Sequence, residues 1–149
     1  MRFEREIWIA RPPEIVFALL RDKHTVRQAP GSPVVALEKT TAGPVGVGTG
    51  FREVVRMFPW HQEEILSEVT HFEPPRHLEE DFHAGVMHGR LAYQLHPQDQ
   101  GTRLVQRQEV HFSGLLRLFE PLLRLMLLPR IEQRLEGIKR ALESASLDD

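Results

Sequence analysis

The predicted inward face of several strands carries carboxylates, the groups from which acid–base chemistry is most often built. Glu53, Glu63 and Glu80 each lie two residues before an apolar residue: Val55, Ile65 and Phe82. Because residues two apart on a strand point to the same face, this spacing predicts that the three glutamates face the core. Carboxylates buried together can hold different pKa values and divide the acid and base roles of a reaction. The alternative is that they lie near the mouth of a cavity, where water or arginine satisfies their charge.

Three further polar residues share this predicted face. Tyr93 is expected beside Gln106, and Leu91 beside Gln108, across the last hairpin of the chain. Tyr93 is the only tyrosine. Its ring packs in the core with the hydroxyl bonded outward, or it donates a proton to a substrate, and we favour packing. No motif identifies catalytic residues.

The eight histidines raise the question of a metal site, and five are possible ligands: His77, His83, His88, His96 and His111. The expected register places them mainly on the outer face of the sheet, without an H-x-x-x-H helix or another ligand triad. We therefore predict no metal and no cofactor. The stretch "GPVGVGTG" at 43–50 lacks the Lys-Ser/Thr of a phosphate-binding loop and predicts a hairpin.

Composition narrows the classes of protein that fit this chain. With 149 residues it is predicted to form one domain, 1–149, and a net charge of −2 gives no electrostatic basis for binding nucleic acid. The absence of cysteine excludes disulfides, thiol catalysis and thiolate-bound metals. The amino terminus lacks the apolar run of a signal peptide, so we expect a cytoplasmic protein.

The order of the elements predicts an α+β domain with one antiparallel sheet. A strand at 3–9 precedes a short helix in "RPPEIVFALLRD", with one more helical turn in "KHTVRQAP" at 23–30. Six strands follow, starting with "SPVVALEKT" at 32–40, and a long helix ends the chain. Pairing Leu95 with Leu104 across the turn "HPQDQG" places Arg90 beside Glu109 on the outer face.

The terminal segment, 114–143, has two halves with different patterns. The first half is apolar on nearly every side except for Arg117, Glu120 and Arg124, charges that exclude a membrane span of roughly 20 apolar residues. The second half has one apolar stripe: Leu128, Ile131, Leu135, Ile138 and Leu142. On a straight helix the charged stripe of the first half continues into this apolar stripe.

Two structures resolve the conflict between these stripes. We favour a helix that breaks or kinks at Pro129, so that the two halves bury different faces. Alternatively the helix is straight and Arg117 and Arg124 point into a cavity towards the glutamates. The excess of apolar surface in the first half predicts a cavity lid or a subunit contact.

Four stretches together resemble the START-related (SRPBCC) superfamily over nearly the whole chain: "GPVGVGTGFREVV", "VTHFEPPRHLEEDF", "YQLHPQDQGTRLVQRQEV" and "RIEQRLEGIKRALE". This superfamily includes plant pathogenesis-related pollen allergens, polyketide cyclases/dehydratases and lipid-transfer domains. The resemblance implies a helix-grip fold, in which a curved seven-stranded antiparallel sheet surrounds a long carboxy-terminal helix. It also implies an apolar cavity and two short helices after the first strand. It implies no catalytic residue, because the superfamily shares the fold and not one reaction.

The predicted function is binding or transport of a hydrophobic or amphipathic small molecule, such as a lipid, an isoprenoid quinone or a polyketide-like aromatic. Its predicted contacts are Glu53, Val55, Trp60, Glu63, Ile65, Glu80, Phe82, Leu91, Tyr93, Gln106, Gln108, Phe119, Leu123 and Met126. Two alternatives stay open: a polyketide cyclase/dehydratase-type enzyme that uses cavity acids, and an interaction module that docks through its Leu-rich terminal helix. The chain is expected to be a monomer or homodimer, with peripheral membrane contact as a further option.

Overall fold

The computed structural model describes residues 1–22 and 34–145. Seven strands form one sheet: β1 (Arg2–Ile9), β2 (Val34–Lys39), β3 (Gly50–Phe58), β4 (His61–Glu73), β5 (His77–Ala84), β6 (Met87–Gln98) and β7 (Gly101–Phe112). Helix α1 (Pro13–Arg21) follows β1, and a 3₁₀ segment (Gly114–Phe119) leads into the long helix α2 (Glu120–Ala145). This is the predicted helix-grip architecture. The extra helical turn predicted at 23–30 lies outside the described residues.

The sheet is antiparallel throughout, in the order β1-β7-β6-β5-β4-β3-β2. The predicted register of the last hairpin is confirmed, with Leu95 opposite Leu104 and Arg90 opposite Glu109. The turn that sets this register has positive φ angles at Asp99 and Gln100, 51° and 65°. Two consecutive left-handed residues are typical of the tight turn whose twist matches that of paired strands.

The pairing of β4 with β5 is interrupted by an irregularity between Val69 and His71. An extra residue in one strand shifts the alternation of side chains beyond it. Val69 faces the core, and Phe72 instead of His71 resumes the inward pattern, with its ring 5.4 Å from that of Phe17 in α1. His71 therefore lies on the outer face, opposite Glu79.

Helix α2 closes the inner face of the sheet with the stripe predicted for its second half. Four of its residues are buried: Ile131, Leu135, Ile138 and Leu142. The last three pack in a core with β1, β5, β6, β7 and α1. Leu128, the first residue of the predicted stripe, is half-buried.

Of the break or kink predicted at Pro129, the break is wrong, because α2 continues through this residue from Glu120 to Ala145, and the kink stays a prediction. Its less exposed residues follow one stripe, from Leu123 and Leu127 to Ile131, so the buried face does not change at the proline. Pro129 has no N–H to donate to the carbonyl of Leu125, and because both residues are exposed we expect water to hydrate this carbonyl.

The alternative, in which arginines of the first half point into a cavity, is also wrong. Arg117 is exposed. Arg124 lies over the ring of Phe3 at 4.9 Å and donates from Nη1 to the carbonyl of Arg2 at 3.1 Å. The conflict between the two stripes disappears because the apolar side chains of the first half remain exposed, among them Leu115, Leu118 and Leu122.

Within the described residues, no helix is long and apolar enough to cross a membrane.

We expect Arg90→Ala to change the free energy of unfolding by only ~0–1 kcal/mol, because exposed ion pairs contribute little. Arg90 donates from Nε to Asp81 at 2.9 Å, and both side chains are about half exposed. This hydrogen bond raises the pKa of Arg90, which stays charged. Urea denaturation measures the change. A loss of several kcal/mol would place these charges inside the protein and contradict the register.

Candidate ligand-binding site

A layer of polar side chains crosses the inner face of the sheet. Tyr93 lies opposite Gln106, and Gln108 lies one inward position further along β7, opposite Leu91. Glu80 of β5 is paired with Leu91 from the other side. The exposed fractions are 5% for Glu80, 2% for Tyr93 and 1% for Gln106, so the predicted inward direction of these three residues is confirmed.

Helix α2 adds an arginine to this layer. Arg134 follows Ile131 by three residues and precedes Ile138 by four, a spacing that places all three on one side of the helix. The pKa of Arg134 is raised chiefly by its interaction with Tyr93, and further by Glu53 and Glu80, while burial opposes the rise. The guanidinium thus stays cationic next to two carboxylates and the tyrosine.

Two buried polar atoms in this layer have no hydrogen-bond partner among the described residues: Nε of Arg134 and Oε1 of Gln106. The amide nitrogen of Gln106 donates to Oε1 of Gln108 at 3.3 Å, which leaves the carbonyl oxygen of Gln106 as the unsatisfied end. A buried polar group without a partner costs about 1–3 kcal/mol. The layer therefore offers one donor and one acceptor to a molecule that reaches it.

Apolar side chains flank the polar layer on both sides. On β5, Glu80 lies between Leu78 of the larger core cluster and Phe82, which packs against the smaller one. On α2, Arg134 lies between Ile131 of the smaller cluster and Leu135 of the larger. A few polar groups between apolar walls are the usual composition of small-molecule sites.

The structure brings most of the predicted contact residues to this inner face. Strand pairing aligns Glu53 with Ile65 and Val55 with Glu63. Val55 is buried and the other three are half-buried. The carboxylate of Glu63 is 2.8 Å from Nε2 of the exposed His61, close to the start of β4.

Three predicted contacts lie at the surface. Trp60 is 82% exposed in the β3–β4 turn, and Phe119 and Met126 are also exposed. Trp60 projects outward because it occupies the turn itself, beyond the face that the strands share. Leu123 is half-buried on the stripe that leads to Ile131. Their contact with a ligand stays a prediction.

Sequence reasoning missed Arg134, although the chain contains a signal for it. An arginine at helical spacing from Ile131 and Ile138 falls within the apolar stripe of α2, where a charged residue needs a partner. The glutamates predicted on the facing strands were the available partners.

Comparison with known protein families finds a match over nearly the whole chain. A family model described as "Polyketide cyclase / dehydrase and lipid transport" matches residues 1–143. No curated protein sequence matches.

Solved structures share the fold at low sequence identity. TTHA0849 from Thermus thermophilus superposes with a TM-score of 0.79 at 20% identity, covering 98% of this chain and 99% of the other. Ara h 8.0201 superposes with a TM-score of 0.73 at 15% identity, covering 100% of this chain and 99% of the other. SA2116 from Staphylococcus aureus, a protein of unknown function, superposes with a TM-score of 0.77 at 11% identity, covering 99% of this chain and 96% of the other.

Proposed function

The chain belongs to the polyketide cyclase/dehydrase and lipid transport family, and we propose that it binds an apolar small molecule carrying a hydroxyl or carbonyl group. The apolar body lies between α2 and the inner face of the sheet. The polar end reaches Arg134 and Gln106. The observation that carries the proposal is the pair of buried, unsatisfied atoms in the polar layer, Nε of Arg134 and Oε1 of Gln106.

The charges of the layer favour an uncharged polar end. Glu53 and Glu80 both act on Arg134, so two carboxylates face one guanidinium. An anionic head group would add a third negative charge at a site of low dielectric constant. A hydroxyl group both donates and accepts a hydrogen bond, and therefore matches Gln106 Oε1 and Arg134 Nε together.

The exposed apolar side chains before Pro129 supply the second part of the proposal. Leu118, Leu122 and Leu125 are exposed on the 3₁₀ segment and the first half of α2. We propose that this surface, with Leu123 beneath it, forms the lid over the ligand and covers its apolar body in the bound state.

Three probes with the same rings test the chemistry of the polar end: naphthalene, naphthol and naphthalene sulfonate. We expect naphthol to bind about tenfold more tightly than naphthalene, since a hydrogen bond contributes about 0.5–1.5 kcal/mol. The sulfonate should bind most weakly. Equilibrium dialysis measures all three affinities.

Gln106→Leu should reduce the preference for naphthol over naphthalene to about threefold, because the acceptor is lost while the Nε–H of Arg134 remains as a donor and apolar volume is kept. Gln94→Leu is the matched control, as Gln94 lies on the opposite face of the neighbouring strand and should leave the tenfold preference intact. Equal binding of all probes to the unmodified protein, or an unchanged preference in Gln106→Leu, would contradict the proposal.

A second candidate, an enzyme that moves protons on its bound molecule, is favoured by the burial of Glu80 and Tyr93 beside Arg134. Native mass spectrometry of protein purified from its own host identifies the bound compound. Incubation then separates the two functions. A carrier returns the compound unchanged, whereas an enzyme converts it and Glu80→Gln abolishes the conversion.

A further inference from the structure

The outer face of the sheet carries two H-x-E sequences on neighbouring strands. His71 and Glu73 end β4, and His77 and Glu79 begin β5. Residues two apart on a strand share a face, and strand pairing sets His71 opposite Glu79 and Glu73 opposite His77. The four side chains thus form a square in which each histidine faces a glutamate across the strands and precedes one along its own strand.

The side chains of this square converge. Ligand atoms of His71, His77 and Glu79 all lie within 4.8 Å of one another. Nε2 of His77 is 2.7 Å from Oε2 of Glu79, and both side chains are largely shielded from solvent. The rings of His71 and His77 are 4.5 Å apart at 84°, and Nε2 of His71 is 3.4 Å from Oε2 of Glu73.

These distances suit a first-row divalent metal ion. Zn²⁺ binds imidazole nitrogen and carboxylate oxygen at about 2.0–2.2 Å in tetrahedral geometry, which separates the ligand atoms by roughly 3.3–3.6 Å. Rotations about the side-chain bonds that move the ligand atoms by about 1 Å bring these atoms to the spacing of a tetrahedral site. Two neutral histidines and two carboxylates also balance the charge of the ion, and mixed nitrogen and oxygen ligands favour Zn²⁺ over Mg²⁺ or Ca²⁺.

A simple hydrogen-bonded pair on the surface differs from this arrangement. His61 and Glu63 make such a pair on β4, with the same i,i+2 spacing and a distance of 2.8 Å. Among the residues that the structure describes, only His71, His77 and Glu79 form a converging group of three possible ligands. We propose that His71, His77 and Glu79 bind a divalent transition-metal ion, with Zn²⁺ as the preferred ion and Glu73 as the fourth ligand. This site is separate from the proposed ligand site, since it lies on the opposite face of the sheet.

Calorimetric titration of tag-free protein with Zn²⁺ alone tests the site. We expect one ion per chain. His77→Ala should weaken binding by about 100-fold or more, because losing a ligand costs at least as much as losing an outer partner of one. Glu73→Gln should weaken it about tenfold. His61→Ala, the matched control, should leave the affinity unchanged.

Imidazole nitrogen NMR signals of the unsubstituted protein give a second readout that needs no variant. Zn²⁺ should shift the signals of His71 and His77 and leave those of His88 and His111 in place. The proposal is overturned if Zn²⁺ fails to bind in stoichiometric amount, if His61→Ala weakens binding as much as His77→Ala, or if the shifted signals belong to other histidines.

Discussion

Leu135→Ala is expected to lower the free energy of unfolding by about 2–5 kcal/mol, the range for large-to-small changes at well-packed sites. Leu135 is 3% exposed and lies in the core cluster that joins α2 to the sheet. Truncation removes apolar contacts and leaves a space that the sheet and α1 fill only in part. Urea denaturation monitored by circular dichroism gives the change.

Leu125→Ala is the matched control, since Leu125 belongs to the same helix but is 69% exposed. We expect a change within about 0.5 kcal/mol. Equal losses at the two positions would mean that the first half of α2 is packed as firmly as the second half. That result would contradict the role of the first half as a lid.

Arg134→Gln is expected to cost about 3–5 kcal/mol, because it leaves the buried carboxylate of Glu80 without its cationic partner. Arg140→Gln, an exposed arginine on the same helix, should be nearly neutral. The double variant Glu80→Gln/Arg134→Gln removes the stranded charge together with its partner and should recover part of the loss. The same urea measurement applies to all three variants.

A purely additive result would show that Glu80 and Arg134 do not interact, and would remove the electrostatic basis of the polar layer. If Arg134→Gln leaves the free energy of unfolding unchanged, the same conclusion follows.

The sheet and its register were predictable because strand periodicity leaves little freedom once one hairpin is aligned. Leu95 opposite Leu104 places Tyr93, Gln106 and Gln108 inside, and all three are found there. The stripe of α2 was predictable for the same reason, since Ile131, Ile138 and Leu142 recur at helical spacing. The arrangement of the long helix against the curved sheet was predicted from the resemblance to the START-related superfamily, because local sequence patterns do not determine how these elements pack together.

The failures concern effects that depend on tertiary context. A proline inside a helix removes one backbone hydrogen bond, and the break predicted at Pro129 assumed that the helix would end there as a result. The residue is exposed, so solvent can satisfy the carbonyl. Simple alternation from Val69 would have turned His71 inward, but the strand irregularity turns it outward to Glu79. The sequence carries no visible mark of that irregularity, so the two H-x-E pairs were not recognised as neighbours.

The most direct test locates bound naphthol on the protein by NMR. We predict nuclear Overhauser contacts between the naphthol ring and the methyl groups of Leu91 and Leu135, together with a shift of the Nε–H signal of Arg134. Contacts confined to the exposed side chains of Leu118 and Leu122, with Arg134 unshifted, would contradict binding between α2 and the inner face of the sheet.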